Sequence, residues 1–356
     1  MRAAIFHGER DVRTEEVPEP QLRPDEVLVK VCAAGICGSD LHRYRGHEPW
    51  GERVIYPHRG GHEMAGVVAK LGADANGVSI GQPVAIEPMQ LTGCGQCPEC
   101  LRGASNICPH RGSNKARRVS AGFSEYDVAT RNHVYPLPLN LPLEVAALTD
   151  IYACAVHALH RIPVTAADTV VVLGNGPVAF ALGQLARLSG ARTIMVGRRQ
   201  PVLEQAVRAG AADAIVNLLQ TDASAELARL TAARGATVVF EAVGGTANDT
   251  MQLAIHAAAP GAVIGILGAF VGNVQVPYRE ANRKEISLQW CNGYATWNGQ
   301  REFQMALDLL SQGRVNAAAL ITHRFGLENV AKAFEAADNK AESSAIKVIL
   351  EPGNSG

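Results

Sequence analysis

The sequence lacks an excess of charge of either sign: 33 Lys and Arg stand against 34 Asp and Glu, a formal net charge of −1. It therefore lacks the basic field that a nucleic acid or an anionic membrane needs in a partner. It also lacks a long unbroken apolar run. The opening MRAAIFHGERDVRTEEVPEP contains no hydrophobic stretch of signal-peptide length, and the most apolar later run, 169–186, is broken by Gly174, Asn175, Gly176 and Pro177. Neither secretion nor membrane spanning is indicated, and a cytoplasmic protein is the expectation. Internal repeats and low-complexity tracts are missing too. The eight cysteines do not form the spread-out framework of a disulfide-rich miniature, because four of them crowd between positions 94 and 108, which suits a metal in a reducing compartment. With 47% hydrophobic and 19% charged residues, the 356-residue chain has the composition of a globular protein of about two domains.

Two patterns divide the chain. Up to about residue 135 the sequence reads as short strands broken by Gly and Pro, at 26–33, 63–71, 82–86 and 123–129. From about residue 142 strand and helix alternate, with apolar strands at 169–173, 193–196, 214–216, 238–241 and 263–267. Alternation of this kind predicts a doubly wound parallel sheet, an α/β fold. Helices on both faces explain why Val170, Val171, Val172 and Leu173 form a continuous apolar run. Helices at 302–311 and 327–337 and a strand at 345–350 close the chain and are expected to rejoin the first domain.

Chemistry is concentrated in three places. Cys94, Cys97, Cys100 and Cys108 form a C-x2-C-x2-C-x7-C run in a Gly-rich loop, four soft ligands suited to tetrahedral zinc with no open position, hence a structural site. An iron–sulfur cluster or a redox thiol set uses the same ligands. GICGSDLH (35–42) followed by Gly61-His62-Glu63 offers a thiolate, an imidazole and a carboxylate, the three ligands of a catalytic zinc site that keeps one position open. TVVVLGNGPVA (169–179) is a strand running into G-x-G-x-x-A and a helix. There Gly174 permits the tight turn, Gly176 lets a pyrophosphate approach the helix N-terminus, where Pro177 sets the first position and Val178, Ala179 and the residues after them carry the N–H groups, and Ala179 allows close helix packing. An NAD site ends its second strand in Asp or Glu. Here Gly197-Arg198-Arg199 follows instead, which removes repulsion of a 2′-phosphate and supplies guanidiniums for it, favouring NADP over NAD.

GICGSDLH, YPHRGGHEMAG, the four-cysteine loop and the dinucleotide fingerprint, in that order, resemble the zinc-dependent medium-chain dehydrogenase/reductase family across essentially the whole chain. The resemblance implies a GroES-like catalytic domain (1–152 and 294–356) and a Rossmann domain (153–293). It implies two Zn2+ per chain, with Cys37 and His62 on the catalytic one and Glu63 adjacent, either behind the ligands or as an exchanging ligand. Asp150, seven residues before His157, is implied as the third ligand, although Asp is one methylene shorter than the Glu usual in the polyol and threonine branch; Glu63 or water is the alternative. Ser39 is implied as first proton acceptor, with the cofactor ribose as relay, His42 as the exit to solvent and Asp40 orienting His62. Lys347 is implied near the pyrophosphate and 265–268 near the carboxamide. Substrate contacts are implied from 47–56 and 290–297, with Trp50 and Tyr294 as candidates. A homodimer or homotetramer joined near 263–276 is implied as well.

Aromatic and polar side chains in those two segments suit a small hydroxylated molecule: a polyol, cyclitol, aminocyclitol or sugar derivative. Polyol dehydrogenases commonly carry Arg-Tyr where this chain has Gly293-Tyr294, which argues against sorbitol itself. The expected activity is a zinc-dependent, NADP-linked interconversion of a secondary alcohol and its ketone. A threonine-type amino-alcohol dehydrogenase and a noncatalytic NADPH-binding sensor are the alternatives; nucleic-acid binding by the cysteine loop is not expected.

Overall fold

A computed structural model describes residues 1–47, 53–88, 93–110, 121–246 and 249–353. A six-stranded sheet runs, in order across the sheet, Ala214–Asn217, Arg192–Gly197, Thr169–Leu173, Ala236–Glu241, Ala258–Ile266 and Ser287–Trp290, every neighbouring pair parallel. Val170, Val171 and Val172 are fully buried at its centre, as strands covered on both faces must be. The strand order turns back between Thr169–Leu173 and Ala236–Glu241, and such a switch point opens a crevice at the carboxyl ends of the strands.

A second, seven-stranded sheet is mostly antiparallel. Its central strand Glu26–Gly35 pairs with Glu63–Leu71, Tyr126–Thr130 and the late strand Lys347–Glu351, and Ile321–Gly326 lies parallel outside the last. The chain thus returns to its first sheet after completing the parallel one. The helix Thr149–Arg161 joins the two sheets. Buried on nearly all sides from Thr149 to Ala158, Cys154 excepted, it belongs to one apolar cluster with Ala33 and Ala65 of the antiparallel sheet, Phe180 of the helix Pro177–Leu188 and Phe303 of the helix Glu302–Ser311.

Three local expectations shift. The strand anticipated at 123–129 begins only at Tyr126, because Ser124 forms an isolated bridge to Ala3 and its hydroxyl is donated to Ala121 O and Tyr126 O. The helix anticipated at 327–337 opens with a 3-10 turn, Leu327–Asn329, before Val330–Asp338. The segment 263–276, expected to hold an edge strand, contains the end of an inner one: Ser287–Trp290 lies outside Ala258–Ile266 and is itself the edge.

Candidate active site

The helix Gly38–Tyr44 begins immediately after Cys37 at the end of the strand Glu26–Gly35. Asp40 accepts the backbone N–H of Cys37 at 3.0 Å, which fixes the turn and aims the same carboxylate across at His62, where Oδ1 stands 3.6 Å from Nδ1. With Nδ1 facing Asp40, Nε2 of His62 points inward and lies 3.4 Å from Ser39 Oγ. The donor atoms of Cys37, His62 and Glu63 all lie within 4.8 Å of one another. Burial works against a charged His62, yet Asp40 and the Cys37 sulfur overcome it and raise its pKa well above the usual value; Asp40, despite its own burial, is held low by His62.

Glu63 is 1% exposed. Its Oε2 accepts from Lys347 Nζ at 2.6 Å, and that ammonium also donates to Ile36 O at 2.8 Å. The other oxygen, Oε1, is buried without a partner among the described residues, an arrangement that costs about 1–3 kcal/mol unless something else satisfies it. A Cβ on Gly35 would stand 2.1 Å from Oε2, so only glycine admits this close approach. A thiol, an imidazole nitrogen held from behind by a carboxylate and an unsatisfied carboxylate oxygen form a donor set that fits Zn2+ with one position left open.

The four-cysteine loop brings its sulfurs together as well. Cys97 and Cys108 are 3.6 Å apart and Cys94 and Cys100 4.0 Å, all four free thiols within 4.8 Å of one another. Four sulfurs at ~2.3 Å from a tetrahedral zinc stand roughly 3.8 Å apart, so the cradle has the right size. Their proton affinities are pushed in opposite directions. The N–H groups of Gln96 and Cys97 lower Cys94 to about 6, while for Cys97 the Cys100 N–H is outweighed by burial and the neighbouring sulfurs, which push it up to about 12. Crowded thiols cannot all ionise beside one another without a cation between them.

At the nucleotide end, Gly174 has φ +118 and donates to Val196 O at 2.8 Å, and Gly176 caps the helix that starts at Pro177. A Cβ on Gly176 would meet nothing within 4 Å, so the approach to the helix N-terminus is open. Ala179 is fully buried, Val178 half-buried. Gly197 sits against the Asn175 side chain. Arg198 is exposed, whereas Arg199 is half-buried and donates to Ala345 O at 2.6 Å and Asn175 O at 3.1 Å. Lys340 is within electrostatic reach of both Arg199 and the Cys37 sulfur, so the nucleotide end of the parallel sheet lies on the same side as the Cys37 trio.

An alcohol dehydrogenase GroES-like domain is matched over residues 23–139 and a zinc-binding dehydrogenase domain over 177–312. Sorbitol dehydrogenase of Bacillus subtilis (strain 168) is 31% identical over 355 residues, covering 99% of this chain and 97% of that protein. The crystal structure of galactitol-1-phosphate dehydrogenase from Escherichia coli, 26% identical, aligns with a TM-score of 0.84 over 99% of this chain and all 100% of that one. A protein from Sinorhizobium meliloti 1021 described as a zinc-binding dehydrogenase and bound to NADP also gives 0.84, at 26% identity over 99% of each chain. The chain belongs to the zinc-dependent medium-chain dehydrogenase family. The antiparallel unit is thus its GroES-like domain and the parallel sheet its Rossmann domain.

Not every residue singled out from this dehydrogenase sequence falls where the resemblance implied. Asp150 stands outside the group formed by Cys37, His62 and Glu63; from the first turn of its helix the short side chain reaches Tyr294, whose hydroxyl it accepts at 2.7 Å, and burial raises its pKa to about 6. Glu63 lies beside the thiol and imidazole, and Asp150 is near enough to feel the charges of both His62 and Glu63. Tyr294 is 1% exposed with its hydroxyl already donated, so it acts on the site through Asp150. Lys347 holds Glu63 from the centre of a sheet, 2% exposed, and its ammonium is engaged there. Trp50 lies outside the described residues. The sequence reading missed Glu302, His157 and His160, which fix the segment carrying Tyr294. A histidine pair at i, i+3 beside an apolar helix was the available signal.

Proposed function

We propose that this dehydrogenase interconverts a secondary alcohol and its ketone on a small polyhydroxylated molecule, a polyol, cyclitol, aminocyclitol or sugar derivative, with NADP(H) as hydride partner. The observation that carries the reading is the convergence of Cys37, His62 and the unsatisfied Glu63 oxygen beside Ser39. Zn2+ held by those three residues supplies Lewis-acid polarisation of the substrate oxygen. Ser39 Oγ, beside His62 Nε2, takes the hydroxyl proton as it releases its own, and His42 on the same helix face carries the released proton outward. Asp40 keeps His62 in one orientation, and Lys347 does the same for Glu63. A second Zn2+ on Cys94, Cys97, Cys100 and Cys108 holds its loop together and does no chemistry.

The polyhydroxylated substrate class is supported by the polyol and polyol-phosphate names of the two relatives above. NADP is supported by the absence of an acid at the end of Arg192–Gly197 and by the exposed Arg198, free to meet a 2′-phosphate; Arg199 is tied to Ala345 and Asn175 and secures the turn. The eight free cysteines agree with a cytoplasmic setting.

The test is a screen of zinc-loaded protein against polyols, aminocyclitols, sugars and amino alcohols, read by NAD(P)H absorbance with both cofactors in parallel. Turnover on one hydroxylated class is expected, at least about 10-fold better with NADP, lost in Cys37→Ser and weakened for NADP alone in Arg198→Ala. Faster turnover with NAD would overturn the cofactor assignment. Tight NADPH binding with silence across the panel would favour the sensor.

A further inference from the structure

His42 lies on the helix Gly38–Tyr44 and is 9% exposed. Its Nδ1 stands 3.4 Å from Nδ1 of His47, with ring centroids 5.7 Å apart and planes at 42°. Two ring nitrogens at this distance share a hydrogen bond when one carries the proton and the other a lone pair. His47 is half-buried and lines a cleft of about 610 Å3 together with Arg10, Tyr44, Arg45, Glu335, Asp338 and Asn339. His42 does not line that cleft. The pair therefore links a buried ring on the helix that follows Cys37 to a cleft open to water.

We infer that His47 is the outer member of the proton path, taking the proton from His42 and delivering it to water in this cleft. The inference rests on the reading of Ser39 and His42 as the inner members. A proton that enters at Nε2 of His42 lets its Nδ1–H bond break as an N–H bond forms at Nδ1 of His47. The Nε2–H bond of His47 then breaks to water. One proton enters, one leaves, and both rings end neutral in their other tautomers, which rotation of the rings about Cβ–Cγ with proton exchange to water resets before the next turnover.

The surrounding charges favour outward passage. Burial, then His47, Arg45 and Lys340, hold the pKa of His42 down to about 4, so it hands a proton on and does not store it at neutral pH. Around His47 the cleft carries Glu335 and Asp338, the latter paired with Arg10 at 2.9 Å and Arg45 at 2.5 Å, and Glu9 packs against Gly46. His42 is thus flanked by cations, whereas in the cleft beside His47 the two guanidiniums are balanced by two carboxylates and water has access.

Two measurements on the whole zinc-loaded chain test this. In polyol oxidation with NADP, His47→Phe should lower kcat about 3–30-fold in weak buffer near pH 7 with KM unchanged, and added imidazole should restore it. A wild-type rate and buffer dependence in His47→Phe, beside a slowed His42→Phe, would overturn the outer role and leave the inner path standing. Wild-type rates in both variants would instead overturn the Ser39–His42 reading. Independently of any substrate, 15N spectra of the histidine rings should show one proton shared between the two Nδ1 atoms. Absence of that coupling would also defeat the inference.

Discussion

Glu302 is a fully buried carboxylate that meets three donors: His157 Nδ1 and His160 Nδ1, each at 2.8 Å, and the Ala295 N–H at 2.7 Å. Through Ala295 it fixes the segment that places Tyr294 on Asp150. Burial alone would raise its pKa, but the two histidines outweigh it and draw it down to about 2. A carboxylate depressed in the folded state contributes stability that is complete above its unfolded pKa and is lost as pH falls through the folded one. Glu302→Ala should therefore cost about 2–4 kcal/mol near neutral pH, because both imidazoles lose their acceptor. The difference from wild type should shrink as pH drops from about 4.5 toward 2. Denaturant unfolding at stepped pH checks both the size and the sign; a penalty that stays constant through this range would mean that the carboxylate is not what the histidines hold.

At the scale of the element, the loop 93–108 has only a four-residue helix, Pro98–Leu101, and a 3-10 turn, Ser105–Ile107, of its own. It is anchored to the body by Asn106, whose side-chain nitrogen donates to Asn292 O at 2.7 Å and lies 3.3 Å from His157 Nε2. With so little regular structure, its shape depends on the cysteine cluster. Cys97→Ser should remove one equivalent of zinc per chain and make the loop protease-sensitive, whereas Cys37→Ser should remove the other equivalent and leave the loop resistant; metal analysis with limited proteolysis separates the two. This loop was legible in the sequence because its ligands are local, and so was the Gly174 turn, where a strand, two glycines and a helix follow one another directly. Lys347 on Glu63 was not legible, since the partners are 284 positions apart and meet only once the late strand has joined the first sheet. The edge strand Ser287–Trp290 escaped for a different reason: it is four residues long with exposed ends, and an edge lacks the continuous apolar signature of inner strands. For the third ligand, sequence offered both Asp150 and Glu63, and only the placement of the helix Thr149–Arg161 separates them.

For the whole molecule, that same edge strand decides how copies would meet. Ser287–Trp290 pairs with Ala258–Ile266 on one side, and among the described residues no strand covers its other side. An uncovered edge presents unpaired backbone groups, which proteins ordinarily charge, twist away or cover with another chain. Here the edge carries an apolar side chain, Trp290, that is 58% exposed. Two copies related by a twofold axis would pair these edges antiparallel and cover Trp290, extending the six-stranded sheet into a neighbour. Light scattering should then give two or four times the chain mass of 37.7 kDa. Trp290→Lys places a charge at the centre of such a contact and should shift the mass toward that of a single chain without loss of zinc. A single-chain mass for the unaltered protein would rule out this assembly, and an unchanged multiple in Trp290→Lys would place the contact on another face.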